Sequence, residues 1–276
     1  MRSVHFVIAC IPALGLLTGC TTTKPAAGSA WIPGDPAAPS QVTPGEAIAI
    51  ARTYTKHMWQ PFGRNIMHGV DATGIRVDTP DASFHPPDGR NGWWLPGEVN
   101  EGIPYKWGGF DDPASFDQKI AEGQAGGDVS SPAKRMADNA AVSTQAAGVD
   151  CSGFVSRCLK LPFSRDSSQL PFLCEPLPGV HALRAGDLLN IPRRHVVLFA
   201  GWNADRTWIY YYETGGVPEW KAGLKQSPLD TMVALGYQPL RYRGMAREAG
   251  PTGKEVLTRA MRATAVTVTN PIVGDP

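Results

Sequence analysis

Two short runs carry residues suited to covalent chemistry: Asp150-Cys151-Ser152-Gly153-Phe154-Val155, and downstream His195-Val196-Val197-Leu198-Phe199. The first reads as a loop entering a helix, which places Cys151 in the first turn. The second reads as an apolar strand with His195 at its start. Acyl transfer through a thioester needs a thiolate, because the thiol is a poor nucleophile. A helix N-terminus offers unpaired N–H groups and partial positive charge to the sulfur, and a neighbouring imidazole takes its proton. Gly153 permits close approach of backbone or substrate. The second imidazole nitrogen needs an acceptor that orients the ring. Glu213, ending Trp208-Ile209-Tyr210-Tyr211-Tyr212-Glu213, fits that role, with Tyr211 on the same face as the alternative. Singly, a histidine is most often structural and a buried cysteine inert. Together, in an exported chain, they point to a catalytic pair.

These residues need a helix packed on a sheet. Residues 151–159 place Phe154, Val155 and Cys158 on one helical face. Residues 188–191, 195–200 and 207–212 read as strands joined by polar turns, and residues 232–242 as a further strand. Consecutive strands preceded by helix predict an α+β fold with an antiparallel sheet covered by helices. Upstream, Thr43-Pro44-Gly45-Glu46 is a helix start with a capping-box pattern. Residues 62–97 are irregular, with one short strand near 74–77, and Trp93 and Trp94 are expected to pack into the core rather than form a sugar-stacking platform. Asp112-Pro113 opens a short helix ended by Gly123, and the polar chain from there to Gly148 is expected to be mobile.

Residues 1–20 form a processing segment. Arg2 supplies positive charge, residues 7–17 are apolar but too short to span a bilayer, and Leu17-Thr18-Gly19-Cys20 resembles a bacterial lipobox, with Cys20 the lipidated residue. Thr21, rather than aspartate, follows that cysteine, and resemblance to such lipoproteins implies the inner face of the outer membrane, facing the periplasm. Residues 21–42 have the composition of a flexible tether, leaving about 230 residues, enough for one sizeable core. A net charge of +1 argues against nucleic-acid binding. No phosphate loop or zinc-binding signature occurs, so neither cofactor nor metal is expected, and the chain is expected to be a monomer. Cys151, Cys158 and Cys174 remain in an oxidising compartment. Cys158 and Cys174 either form a disulfide or serve as small buried apolar groups.

Tyr105-Lys106-Trp107-Gly108-Gly109, the Asp150 run, Ala185-Gly186-Asp187-Leu188, the His195 run and Tyr237-Gln238-Pro239-Leu240-Arg241 follow one another in an order that resembles the NlpC-type, papain-like cell-wall cysteine peptidases. The resemblance covers residues 102–243 and implies a papain-like fold: an antiparallel sheet of about five or six strands packed against helices, the nucleophile at a helix N-terminus. It also implies cleavage of an amide bond in peptidoglycan stem peptides. Cys151 would be nucleophile and His195 general base, with Glu213 as the third residue. Tyr105 would place the oxyanion, Asp150 and Ser152 would support the site, and Trp107, Gly108 and Tyr211 would contact substrate.

The chain departs from that family in two places. Many relatives carry histidine where Glu213 stands, and roughly forty residues separate Trp107 from Cys151. The resulting division is a signal at 1–20, a tether at 21–42, an N-terminal helix and irregular extension at 43–100, a catalytic domain at 101–245 with an insertion at 110–148, and a tail at 246–276 with a helix over 254–262. The insertion is read, in order, as a substrate-selecting wall, an inhibitory lid or an idle excursion. Two other functions stay open: an amidase or acyltransferase on a different amide or ester, and an inactive lipoprotein that binds wall peptides.

Overall fold

The computed structural model of the chain describes residues 41–216 and 219–246. The signal with Cys20, the tether up to residue 40 and the tail beyond 246 lie outside the described residues.

Helix α1 (Pro44–Thr55) begins as its sequence dictates. The Thr43 side chain accepts from Glu46 N–H, the Glu46 carboxylate accepts from Thr43 N–H at 2.7 Å, and Pro44 takes the first turn, where its missing N–H costs nothing. Val42 is already fixed one residue earlier, bridged to Met245, so the tether ends short of its expected limit at 42. Helix α2 (Pro113–Ala121) is capped by Asp112, which accepts from Ser115 N–H at 2.8 Å. A six-residue helix α3 (Pro132–Ala137) follows in the insertion, and α4 (Cys151–Cys158) carries the cysteine at its first position.

The fold is α+β. Six antiparallel strands form its main sheet: β1 (Cys174–Pro176), β2 (Leu188–Ile191), β3 (His195–Trp202), β4 (Trp208–Glu213), β5 (Gly223–Pro228) and β6 (Gln238–Tyr242), in spatial order β5-β4-β3-β2-β6-β1. Central β3 is apolar on both faces because both are covered. Val196, Leu198 and Ala200 join Phe154, Cys158 and Leu159 in the main core, while Val197 and Phe199 join a second core with Leu189, Ile209 and Met232. The β3–β4 register slips between Tyr210 and Tyr211, a bulge beside which the strand re-aims its side chains.

One strand expectation is corrected. Within residues 232–242 only Gln238–Tyr242 is extended; Leu229–Ala234 forms helix α5, ended by Gly236 at φ +86°. Leu229 and Met232, three apart, are both buried, a helical rather than an alternating pattern. The disulfide is absent as well. Cys151, Cys158 and Cys174 are free thiols, the latter two buried, and burial pushes the Cys158 thiol far up and Cys174 to about 12.

The segment before residue 101 belongs to the same core. Tyr54 packs edge-on to Phe154 at 5.5 Å between ring centroids and donates its hydroxyl to the Asp111 carbonyl at 3.0 Å. Trp94 is fully buried, stacked edgewise on Trp59, with its Nε1–H donated to the Gly126 carbonyl at 2.9 Å. It is a core residue, as the sequence predicts. The short strand expected near 74–77 is Arg76–Asp78, paired with His68–Val70.

The insertion is anchored rather than mobile. Ala125–Gly126 pairs in parallel with Ala146–Ala147. Buried carboxylates collect the rest: Asp111 accepts from Gly148 N–H at 2.9 Å, Asp71 accepts from Ser143 Oγ at 2.6 Å, and Asp128 pairs with Lys134. Burial opposes the Asp71 charge, yet hydrogen bonds from Ser143, Thr73 and Ile75 hold its carboxyl far below the usual range. At Asp128 burial wins over Lys134 and lifts the carboxyl to about 6.

Trp94→Ala is expected to cost about 3–5 kcal/mol, as for large aromatic deletions in a core, with loss of a single cooperative transition in chemical denaturation. A chain starting at residue 101 is expected to remain unfolded by circular dichroism, since it lacks Tyr54 and Trp94.

Candidate active site

The start of α4 is held by its own cap. The Asp150 carboxylate accepts from Gly153 N–H at 2.5 Å and from Ser152 Oγ at 2.9 Å. Ser152 thus supports the cap. Cys151, half-buried at the first helical position, keeps its sulfur near the positive end of the helix. A Cβ at Gly153 would lie 2.0 Å from the Gly109 carbonyl oxygen, and Asp150 N–H donates to that same oxygen at 3.2 Å. The segment around Tyr105 and Gly109 is therefore pressed against the nucleophile helix by a contact only glycine allows.

His195 opens β3, and Glu213 closes β4 in the neighbouring position. The imidazole Nε2 meets Glu213 Oε2 at 2.9 Å, and that oxygen also accepts from Gly216 N–H at 2.8 Å. A Cβ at Gly216 would stand 2.3 Å from the Glu213 carboxylate oxygens, so this loop glycine permits the contact. Glu213 holds the ring at Nε2, and Cys151 at the start of α4 is near enough for its charge to bear on the same imidazole. Burial opposes charge on the imidazole, but Cys151 and Glu213 outweigh it and raise His195 from its ordinary 6.5 to about 10. That value leaves the ring cationic at neutral pH.

Glu213, not Tyr211, is the group that meets the imidazole. Tyr211 lies opposite Phe199 and Lys225, packs in the second core and is pushed up to about 12 by burial and the Glu213 charge. Tyr105 is buried with its ring against Gly215 and Trp220. Burial and the nearby Cys151 and Asp150 charges hold its phenol well above the usual range, so it stays a donor, and its hydroxyl makes no hydrogen bond among the described residues.

Trp107 and Gly108 face the insertion. Trp107 donates its backbone N–H to the Asp128 carbonyl at 2.8 Å and Nε1–H to the Asp138 carbonyl at 3.2 Å, and a Cβ at Gly108 would lie 2.4 Å from Val142. Neither lines the cleft of ≈ 570 Å³ that opens at His195. That cleft is bordered instead by Tyr237, whose ring meets His195 edgewise at 6.4 Å, and by Arg90, Arg135 and Arg194. Tyr237 falls inside a recognised motif but its role was not legible; the arginines carry no local signal at all. In the same motif Arg241 binds Asp187 bidentately at 2.8 and 2.6 Å, a structural clamp between β6 and the turn before β2.

Among the described residues no group of three or more His, Cys, Asp or Glu side chains is arranged to hold a metal ion. No family model, curated protein or solved structure matches the chain, so the site is read from its own geometry. The geometry defines an imidazole oriented by a buried carboxylate, with the Cys151 thiol at a neighbouring helix start.

Gly153→Ala is expected to cost about 1–3 kcal/mol or more, because the obstruction is backbone, and to abolish rapid alkylation of Cys151. The folded His195 pKa lies above its unfolded value, so its stabilising contribution is full below 6.5 and lost as pH rises through about 10. The melting-temperature advantage of wild type over Glu213→Gln is therefore expected to shrink across that interval.

Proposed function

We propose that the chain is a papain-like cysteine hydrolase that cleaves an amide bond in the stem peptide of peptidoglycan, tethered through Cys20 to the outer membrane and facing the periplasm. The observation that carries the chemistry is the 2.9 Å His195–Glu213 contact, with Cys151 near enough to raise the same imidazole. The ordered motifs from Tyr105 to Arg241 support the substrate class, and the nucleophile helix packed on an antiparallel sheet is compatible with it.

In this reading the Cys151 thiolate attacks the scissile carbonyl and forms a C–S bond. The Tyr105 hydroxyl and backbone N–H groups at the start of α4 stabilise the oxyanion. The His195 imidazolium gives its Nδ1 proton to the amine as the C–N bond breaks. Neutral His195 then takes a proton from water, whose oxygen displaces sulfur to release the carboxylic acid and restore the ion pair. Glu213 accepts from the ring and fixes its orientation. A different amide or ester substrate would use the same groups, so the product decides between them.

Soluble protein starting at residue 27, incubated with purified peptidoglycan, is expected to release stem-peptide fragments seen by mass spectrometry. Cys151→Ala is expected to lower the rate by more than about a thousandfold. Fragments produced equally by the variant, or none from either protein, would refute the endopeptidase reading.

A further inference from the structure

Three guanidinium groups converge on the cleft at His195 from three separate stretches of chain. Arg90 comes from the loop before Trp93, Arg135 from α3 of the insertion and Arg194 from the β2–β3 turn. Among the described residues the arginines in ion pairs are others: Arg76, Arg157 and Arg241. Unpaired arginines at a surface are ordinary, because water solvates them. Arg90 is different. Its guanidinium lies 3.4 Å from the Trp220 ring centroid, its Nη2 donates to the Gly215 carbonyl at 2.7 Å, and its Nε is buried with no acceptor. Burial lowers its pKa against the charges of Asp88, which accepts from the Arg90 backbone N–H at 3.0 Å, and of Glu213, which is already engaged by His195 and Gly216; neither carboxylate hydrogen-bonds the guanidinium. A half-buried cation with one buried, idle N–H is completed best by an anion.

We propose that this cleft is an anion-selecting subsite, with Arg90 as its stacked anchor and Arg135 and Arg194 as outer arms, which admits acyl substrates bearing free carboxylates beside the scissile bond. The subsite names the substrate class of the hydrolase proposed above and rests on that reading for its chemistry, but its charge selection is independent of the bond cleaved. Leu235 and Tyr237 supply an apolar wall, so orientation would come from the guanidinium forks, which match carboxylates bidentately. Because Arg90 and Arg135 lie outside the stretch that carries Cys151 and His195, the N-terminal segment and the insertion would act as specificity elements.

The test compares second-order alkylation of Cys151 by iodoacetate and by iodoacetamide, which differ in one carboxylate. Relative to glutathione, the iodoacetate-to-iodoacetamide rate ratio is expected to rise about tenfold at low salt, as a focused field of one sign raises on-rates. It is expected to fall severalfold in Arg135→Gln, Arg194→Gln and Arg90→Gln, and to collapse at high salt. Arg135→Gln alters a side chain bonded only to half-buried Ser130 and keeps the test valid if Arg90→Gln misfolds. A ratio equal to that of glutathione, or one untouched by Arg135→Gln and Arg194→Gln, overturns the inference. If neither reagent reacts, calorimetric titration with tricarballylate replaces the ratio, and absence of saturable heat overturns it. No wall substrate enters these measurements, so failure to cut peptidoglycan would remove the hydrolase reading and leave the subsite to its own result.

Discussion

The Gly109 carbonyl oxygen sits where any side chain at residue 153 would collide with it, and much of the site follows from that one close approach. It fixes how far α4 can stand from the Tyr105–Gly109 segment, because Asp150 N–H donates to the same oxygen while the Asp150 carboxylate caps the helix. Cys151 is thereby set beside Tyr105, and the helix itself is pressed onto Val196 and Leu198 of β3, whose first residue is His195. The same strip of chain serves a second side. Residue 148 is also glycine, and a Cβ there would lie 2.5 Å from the Pro104 carbonyl, so the end of the insertion reaches the nucleophile through two backbone contacts that exclude side chains.

Charge at the site is governed by which groups remain partnered after water is removed. Glu213 is 2 % exposed, and its Oε2 accepts from both His195 and Gly216. That arrangement, with the Cys151 sulfur, keeps His195 cationic despite burial. Asp128 shows the opposite balance: one ammonium and one backbone N–H leave burial dominant, and its carboxyl rises to about 6. A full negative charge on the third residue makes the imidazolium more stable than a neutral acceptor would.

The insertion and the N-terminal segment are held by different physics from the sheet. The sheet is fixed by apolar burial on both faces of β3, the insertion by carboxylates that each gather several donors. Such polar ties cost little when satisfied and much when broken. They also bring Trp107 and Gly108 against Val142 and Asp138, away from the cleft, while delivering Arg135 to its rim.

Cys151, His195, Glu213 and Tyr105 were legible from the chain because each lies at the edge of an element whose type the local pattern declares: a capped helix start, two strand ends, a glycine-rich turn. The α+β class was legible for the same reason, since helical and alternating periods are local properties. The strand expected from residue 232 failed where a short helix that buries only Leu229 and Met232 resembles a strand, and the insertion looked mobile because ties to distant carboxylates leave no period. The disulfide left open by the cysteine count is absent, its two sulfurs buried as apolar groups. Arg90, Arg135 and Arg194 meet only through tertiary structure, from segments as far apart in sequence as residues 90 and 194. Sequence by itself determined which groups can react, because reactivity is set by residue type and local backbone; tertiary structure decided what charge faces them, because long-range convergence and desolvation exist only once the chain has folded.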